Sequence, residues 1–404
     1  MKEVKYLVLG GGPAGLTFLR SMLDKGINDI HLLEMEDTVG GLCRSVDVDG
    51  APLDIGGGHF LDVRRPLVTE FVFRFMPKEE WDYYERDSRI QLGEYMVGHP
   101  FEANIWQFPE EIQNEYLESI KAAGCNNEMP CPERFVDWIR WKLGDKIADD
   151  YMLPYNRKMF RDDLNDLGTY WLSKLPDVDY EDTLKACQNK RPYGKQPGHA
   201  QFYYPHEYGY GEVFCRMAES MKEHISTNSK VRTLDVLNRT VTTEDGSEYK
   251  ADYIITTIPY KNIEVIDGLS DSGINAVNGL KSTAVEIRYF KDTLDTKAQW
   301  IYIPDPLVSY HRILVRSNFT PKGRGYWTET RSERIQPDDD GSMYRYVNEY
   351  AYPLNTIGKP ELMEKLLAEL KDHQIIGLGR WGEHDHYNSD LVIAKAMELS
   401  DSFT

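Results

Sequence analysis

Six residues near the N-terminus carry the first readable chemistry. Gly10-Gly11-Gly12-Pro13-Ala14-Gly15 follows a buried-strand run, KYLVL at 5–9, and fits the spacing G-x-G-x-x-G. The first glycine permits a tight turn. The second lets a pyrophosphate approach the backbone, and the third lets a helix pack closely on a strand. The helix expected over 14–25 would offer free N–H groups and the positive end of its dipole to phosphates. Glu34 closes a second strand at 30–33, where an acid can bind ribose hydroxyls. A lone glycine motif is weak. Strand, turn, helix, strand and acid in register make a dinucleotide site.

Two further glycine clusters favour FAD over NAD. Gly40-Gly41-Leu42-Cys43-Arg44 and Asp54-Ile55-Gly56-Gly57-Gly58-His59 follow closely, as expected where backbone passes beside a large flat cofactor. They are similar to the G-G-x-x-R and D-x-G-G-H signatures of the amine oxidase and protoporphyrinogen oxidase type of flavoprotein. Gly10, Gly12, Gly15, Glu34, Gly41, Arg44, Gly57 and Gly58 are therefore the expected cofactor contacts.

The elements that must position these groups follow from length and pattern. A chain of 404 residues can build two or three sub-domains. The expected fold is α/β: a Rossmann-type FAD-binding domain, a helical insert and a β-sheet substrate domain. The discontinuous FAD-binding domain is expected from 1–62, 195–262 and 371–404. Apolar spacing such as Phe135, Trp138, Ile139, Leu143 and Ile147 marks 105–194 as the helical insert. Segments 63–104 and 263–370 are assigned to the substrate sheet, since 283–352 alternates in the β manner. Strands are expected within 231–258, with a hairpin turn at Asp245-Gly246. After Gly377 a loop should lead into a helix at about 389–399.

Composition narrows the ligands. The 47 basic and 66 acidic residues leave a net charge of -19. Such a surface repels nucleic acid and anionic lipid, and neither is an expected partner. A small anionic ligand would need a local cluster of arginines. No run of 18 apolar residues marks a membrane span, and mean hydropathy is -0.55. Met1 leads straight into a strand pattern, so no secretory signal is expected. Cys43, Cys125, Cys131, Cys187 and Cys215 are odd in number and scattered. That suits reduced thiols in a cytoplasmic protein without a metal site. Homo-oligomerisation is left open.

Downstream motifs narrow the class. Pro154-Tyr155-Asn156-Arg157-Lys158 resembles the P-Y-N-x-K of UDP-galactopyranose mutases, especially their eukaryotic-type branch. Gly56 to Phe60, Phe135 to Ile139, Trp300-Ile301-Tyr302, Arg312 with Ser317-Asn318, and Tyr352-Pro353 also match that family, in its order. Arg380 to Asp390 resembles the closing segment. The resemblance implies that the N5 of reduced FAD attacks the anomeric carbon of a nucleotide-linked sugar and displaces its diphosphate. The ring opens, recloses as a furanose, and no net redox change results. By position, Arg312 and Arg380 would hold the diphosphate, and His59 would lie near the flavin. The same resemblance places Val231 and Asp390 at the cofactor. It places His99, Phe101, Glu102, Arg134, Trp138, Asn156, Trp300, Tyr302, Phe319 and His386 at the substrate.

The chain departs from the family where substrate is read. Phe319 and His386 stand where the family carries tyrosines on the diphosphate, and His99 replaces a base-stacking tyrosine. Glu102 and Arg134 replace the glutamine and asparagine that recognise uracil. A carboxylate only accepts hydrogen bonds and an arginine only donates them. A purine-linked sugar is therefore allowed, and so is a plain Glu102–Arg134 salt bridge. Two rivals to a mutase stay open. One is an FAD-dependent oxidoreductase of the amine oxidase type. The other is a non-catalytic FAD-binding partner in polysaccharide assembly.

Overall fold

The computed structural model describes residues 1–172, 178–195, 200–335 and 341–403. Its first sheet is organised by Lys2–Leu9, in which Tyr6 to Leu9 are buried on both faces. A continuous apolar run of this kind suits a central parallel strand. Ile30–Leu33 and Glu248–Thr256 pair with it in parallel on either side. Ile225–Ser226 extends the sheet beyond Ile30–Leu33. Thr240–Thr243, Val231–Asp235 and Val265–Asp267 extend the other edge. Ile375–Gly377 joins in parallel with the end of Glu248–Thr256.

Tyr6 and Val8 face one core, Leu7 and Leu9 the other, as strand alternation requires. On the first face lies the helix Pro13–Asp24, packed on the C-terminal helix Ser389–Asp401. Pro13 fits the first helical turn, where its missing N–H costs nothing. On the second face lie Asp271–Gly279 and Lys359–Asp372, through Ala276, Met363, Leu366 and Leu370. The expected assignment of 263–370 to the substrate sheet is corrected here. Val265–Asp267 pairs with Val231–Asp235, and both of these helices bury their apolar stripes under the first sheet.

The second sheet runs Tyr344–Pro353, Ser282–Phe290, Tyr326–Arg331, Arg312–Val315, Trp300–Tyr302, Ser88–Leu92 and Tyr95–Gly98. Its register sets one transverse row: Ile90, Tyr302, Arg312, Glu329 and Ile287 are successive cross-strand partners. Of the 63–104 segment, 88–98 joins this sheet. Trp81–Glu85 instead pairs with Gln201–Pro205 in a small separate sheet.

Helices Glu110–Lys121, Phe135–Ile147, Leu153–Met159 and Tyr180–Asn189 enclose a further core around Phe101, Phe135, Ile139 and Tyr151. Gly144 breaks Phe135–Ile147 with φ +79°. An added Cβ there would lie 2.4 Å from the Ser119 carbonyl oxygen, so glycine is required for both reasons. The chain continues through a π-helical turn, Ala148–Met152. No described helix is long and apolar enough to cross a membrane.

Candidate functional site

Two cavities meet between the sheets, and His59, Arg380 and Ser389 line both. The first, of about 440 Å³, opens at the C-terminal ends of the parallel strands, where ligands of such sheets bind. Gly10, Gly12, Glu34, Gly41, Arg44 and Val231 line it. Gly10 has φ +104°, and an added Cβ would strike Thr257. An added Cβ on Gly12 would meet nothing nearer than the Cα of Gly41, at 3.8 Å. Two glycines thus face each other across a slot at the N-terminus of Pro13–Asp24, where a helix end favours an anion. Gly15 lines neither cavity. It packs so closely on Gly10 that a Cβ would sit 2.0 Å from the Gly10 oxygen.

Glu34 is buried. Its Oε2 accepts from the Gly11 N–H at 2.6 Å and its Oε1 from the Glu36 N–H at 2.9 Å. Each oxygen keeps a lone pair for a ribose hydroxyl. Burial raises its carboxyl above the usual range, and the two backbone bonds oppose that shift. The second cluster is held by Asp54, which accepts from Ser45 Oγ at 2.6 Å and Tyr204 OH at 3.0 Å. Burial pushes Asp54 up to about 7.

The second cavity, of about 610 Å³, lies between the second sheet and the helical layer. His99, Phe101, Glu102, Trp138, Asn156, Trp300, Tyr302, Arg312 and His386 line it. So do Gly57, Gly58 and Asp390, which the sequence reading assigned to the cofactor. Asp390 is drawn to this side by an ion pair with Arg65 at 2.5 Å. Gly57 has φ +96° and lies against Glu329: its Cβ would be 2.9 Å from Glu329 Oε1. The break at Gly144 and the π-helical turn bring Tyr151, Met152, Tyr155 and Asn156 onto the cavity wall.

Two expected substrate residues are elsewhere. Arg134 is the exposed residue before the helix Phe135–Ile147; its carbonyl accepts from the Trp138 N–H. Glu102 is buried on the cavity wall and Arg134 is not part of that wall. Phe319 is 2% exposed and stacks on Trp300 from behind, with ring centroids 5.8 Å apart. A tyrosine hydroxyl there would be buried in an aromatic core.

Part of the charge in the second cavity is paired. Arg312 donates through Nε to Glu329 Oε2 at 2.9 Å, and its Nη2 bonds the same oxygen and Tyr352 OH, the latter at 3.3 Å. Burial opposes both charges. Even so, Glu329 holds Arg312 well above its usual value, while Arg312 and His311 hold Glu329 down at about 2. His59 Nδ1 lies 3.0 Å from the Gly57 carbonyl. A carbonyl only accepts, so Nδ1 carries the proton and Nε2 a lone pair. Burial, with Arg380 nearby, lowers His59 to about 4.

Sequence reasoning passed over Glu329 and Arg86, and quoted Tyr352 in a motif without giving it a role. Glu329 sits in the alternating run Tyr-Trp-Thr-Glu-Thr-Arg, where an acid gives no sign of facing inward until the register is known. Arg86 lies between two strands that the sequence did not announce.

Comparison with known proteins agrees with this architecture. A family model described as flavin containing amine oxidoreductase matches residues 13–290. A crystal structure of reduced UDP-galactopyranose mutase superposes with a TM-score of 0.87 at 24% identity, covering 98% of this chain and 93% of that one. Putrescine oxidase bound to putrescine gives 0.65 at 13% identity, covering 99% and 98%. An uncharacterized protein of Methanothermococcus thermolithotrophicus is 36% identical over 93 residues, 22% of this chain and 89% of that one. The chain belongs to the flavin containing amine oxidoreductase family. Its cofactor is FAD, and its fold is similar to that of UDP-galactopyranose mutase.

Proposed function

We propose that the protein is an FAD-dependent pyranose–furanose mutase acting on a nucleotide-diphosphate-linked sugar, with its flavin reduced. One observation carries this reading. Among the described residues, seven basic side chains line the second cavity against four carboxylates, an excess of three positive charges in a chain of net charge -19. Such a cavity concentrates a dianionic diphosphate and repels a protonated amine. Bound reduced flavin would supply the nucleophile, its N5, at the anomeric carbon. The chain's own residues do the rest. Arg380, on the wall common to both cavities, stabilises the departing diphosphate. His59 stays neutral beside it. Phe101, Trp138 and Tyr151 offer apolar faces to a nucleobase. Glu102 can accept together the adjacent N–H and NH2 of guanine, whereas uracil presents a single N–H. Cys43 lines the first cavity, but burial pushes its thiol up, which supports non-covalent cofactor binding.

The second reading is a flavin oxidoreductase. Its support is the family model and the placing of Phe319 in a core instead of at the ligand. One experiment separates the two. Dithionite-reduced holoprotein is incubated with UDP-, dTDP-, CDP- and GDP-linked pyranoses, and products are resolved by chromatography. The expected result is a furanose isomer without net flavin oxidation, fastest with the GDP sugar. Absence of a furanose with every donor, together with flavin reduction by an amine under anaerobic conditions, would establish the oxidoreductase.

A further inference from the structure

Five arginines line the second cavity: Arg64, Arg65, Arg86, Arg312 and Arg380. Three are committed to carboxylates. Arg64 forks onto Asp62, with Nη2 at 2.6 Å from Oδ2. Arg65 holds Asp390, and Arg312 holds Glu329 through two nitrogens. Asp62, Asp390 and Glu329 are each at most 2% exposed. A buried carboxylate that loses its cation is costly, so these guanidinium charges are already spent.

Arg86 and Arg380 differ. Arg86 Nε donates to Ser88 Oγ at 2.7 Å and Nη2 to Tyr302 OH at 2.8 Å, and its guanidinium lies 4.6 Å from the Trp300 ring centroid. Arg380 donates through Nε and Nη2 to the Tyr387 carbonyl at 3.1 and 2.7 Å, and through Nη1 to the Ala351 carbonyl at 3.2 Å. Every one of these partners is neutral, and no carboxylate pairs with either arginine among the described residues. Neutral partners orient a guanidinium without cancelling its charge.

We propose that Arg86 and Arg380 together take the anionic group of the ligand, and that Glu329 withholds Arg312 from that task by cancelling its charge. The proposal depends on the mutase reading only in taking the ligand to be an anion. Glu329 thereby becomes a specificity-determining residue: it sets how many positive charges the cavity presents. Tyr302 joins the two arrangements. Its hydroxyl accepts from Arg86, and its strand neighbour is Arg312.

The test uses inorganic pyrophosphate, which needs an anion subsite and nothing else, titrated calorimetrically into oxidised holoprotein. Arg86→Gln is expected to weaken binding by roughly ten- to a hundredfold, the worth of one charge-assisted contact. Glu329→Gln, which returns the charge of Arg312 to the cavity, should tighten it. The double variant Arg312→Gln/Glu329→Gln removes both charges at once and should stay within about threefold of wild type. Flavin absorbance checks that FAD is retained. Wild-type affinity in Arg86→Gln overturns the proposal, as does a double variant that loses as much as Arg86→Gln, or a wild type that binds no pyrophosphate. If the double variant does not fold, unchanged or weaker binding in Glu329→Gln overturns it instead. If this pattern holds while no nucleotide sugar yields a furanose, the anion assignment stands and the mutase reading falls.

Discussion

In the first cavity, Gly10, Gly12 and Gly41 leave bare backbone on the wall, and Glu34 supplies a carboxylate. The glycines and Glu34 come from one short stretch of chain folded back on itself, and 229–231, 257–262, 346–350 and 380–392 complete the lining. In the second cavity the wall is made largely of long side chains drawn from the second sheet, the helical layer and the segments 56–65 and 380–391. Two of its carboxylates are held by long-range ion pairs, Arg312 with Glu329 across neighbouring strands and Arg65 with Asp390 of the C-terminal helix. Recognition by backbone is tied to a local motif. Recognition by side chains is tied to register and packing, and can be rewritten one residue at a time while the fold stays.

Three perturbations test this contrast, in descending order of effect. Gly12→Val fills the slot opposite Gly41. The variant should purify colourless and fail to take up FAD, as absorbance after reconstitution would report. A yellow variant with stoichiometric flavin would mean that the slot does not carry the pyrophosphate. Arg312→Ala should act first on stability. It strands Glu329, which is 1% exposed, and the loss expected from denaturant unfolding is about 3–5 kcal/mol. Unfolding at the wild-type midpoint would show that the pair is not held against burial. The smallest effect is a response to acid. His59 lies at about 4 in the folded protein, against about 6.5 in an unfolded chain. Between these values the unfolded chain binds a proton that the native one refuses, so stability falls as pH drops from 6.5 towards 4. His59→Asn should flatten that fall by about 1–3 kcal/mol over the window. An unchanged acid slope would show that His59 is not buried in its neutral form.

The same contrast explains what was legible in the sequence. The strand Lys2–Leu9, the glycine turn, the helix Pro13–Asp24 and the strand Ile30–Leu33 could be read directly, because each is set by neighbours within a few residues. The hairpin at Asp245-Gly246 and the C-terminal helix Ser389–Asp401 were legible for the same reason. The helices Asp271–Gly279 and Lys359–Asp372 were submerged in a segment judged by its alternating middle, although Ser270 accepts from the Gly273 N–H as an N-cap. At the second cavity, Arg312 and Arg380 were found by motif. The partner that changes the meaning of Arg312 was not, because Glu329 is 17 positions away and meets it only across two paired strands. Arg134 shows the converse: four residues before Trp138 in sequence, it ends on the outside of the helix start.

His59, Arg380 and Ser389 form a wall with a ligand space on each side. Occupants that touch the same side chains are not independent. When filling one space repositions Arg380, affinity in the other changes by some factor, and thermodynamic reciprocity demands the same factor in return. The grip of the protein on its flavin is then a gauge of what lies beyond the wall, readable from cofactor dissociation without seeing the substrate at all.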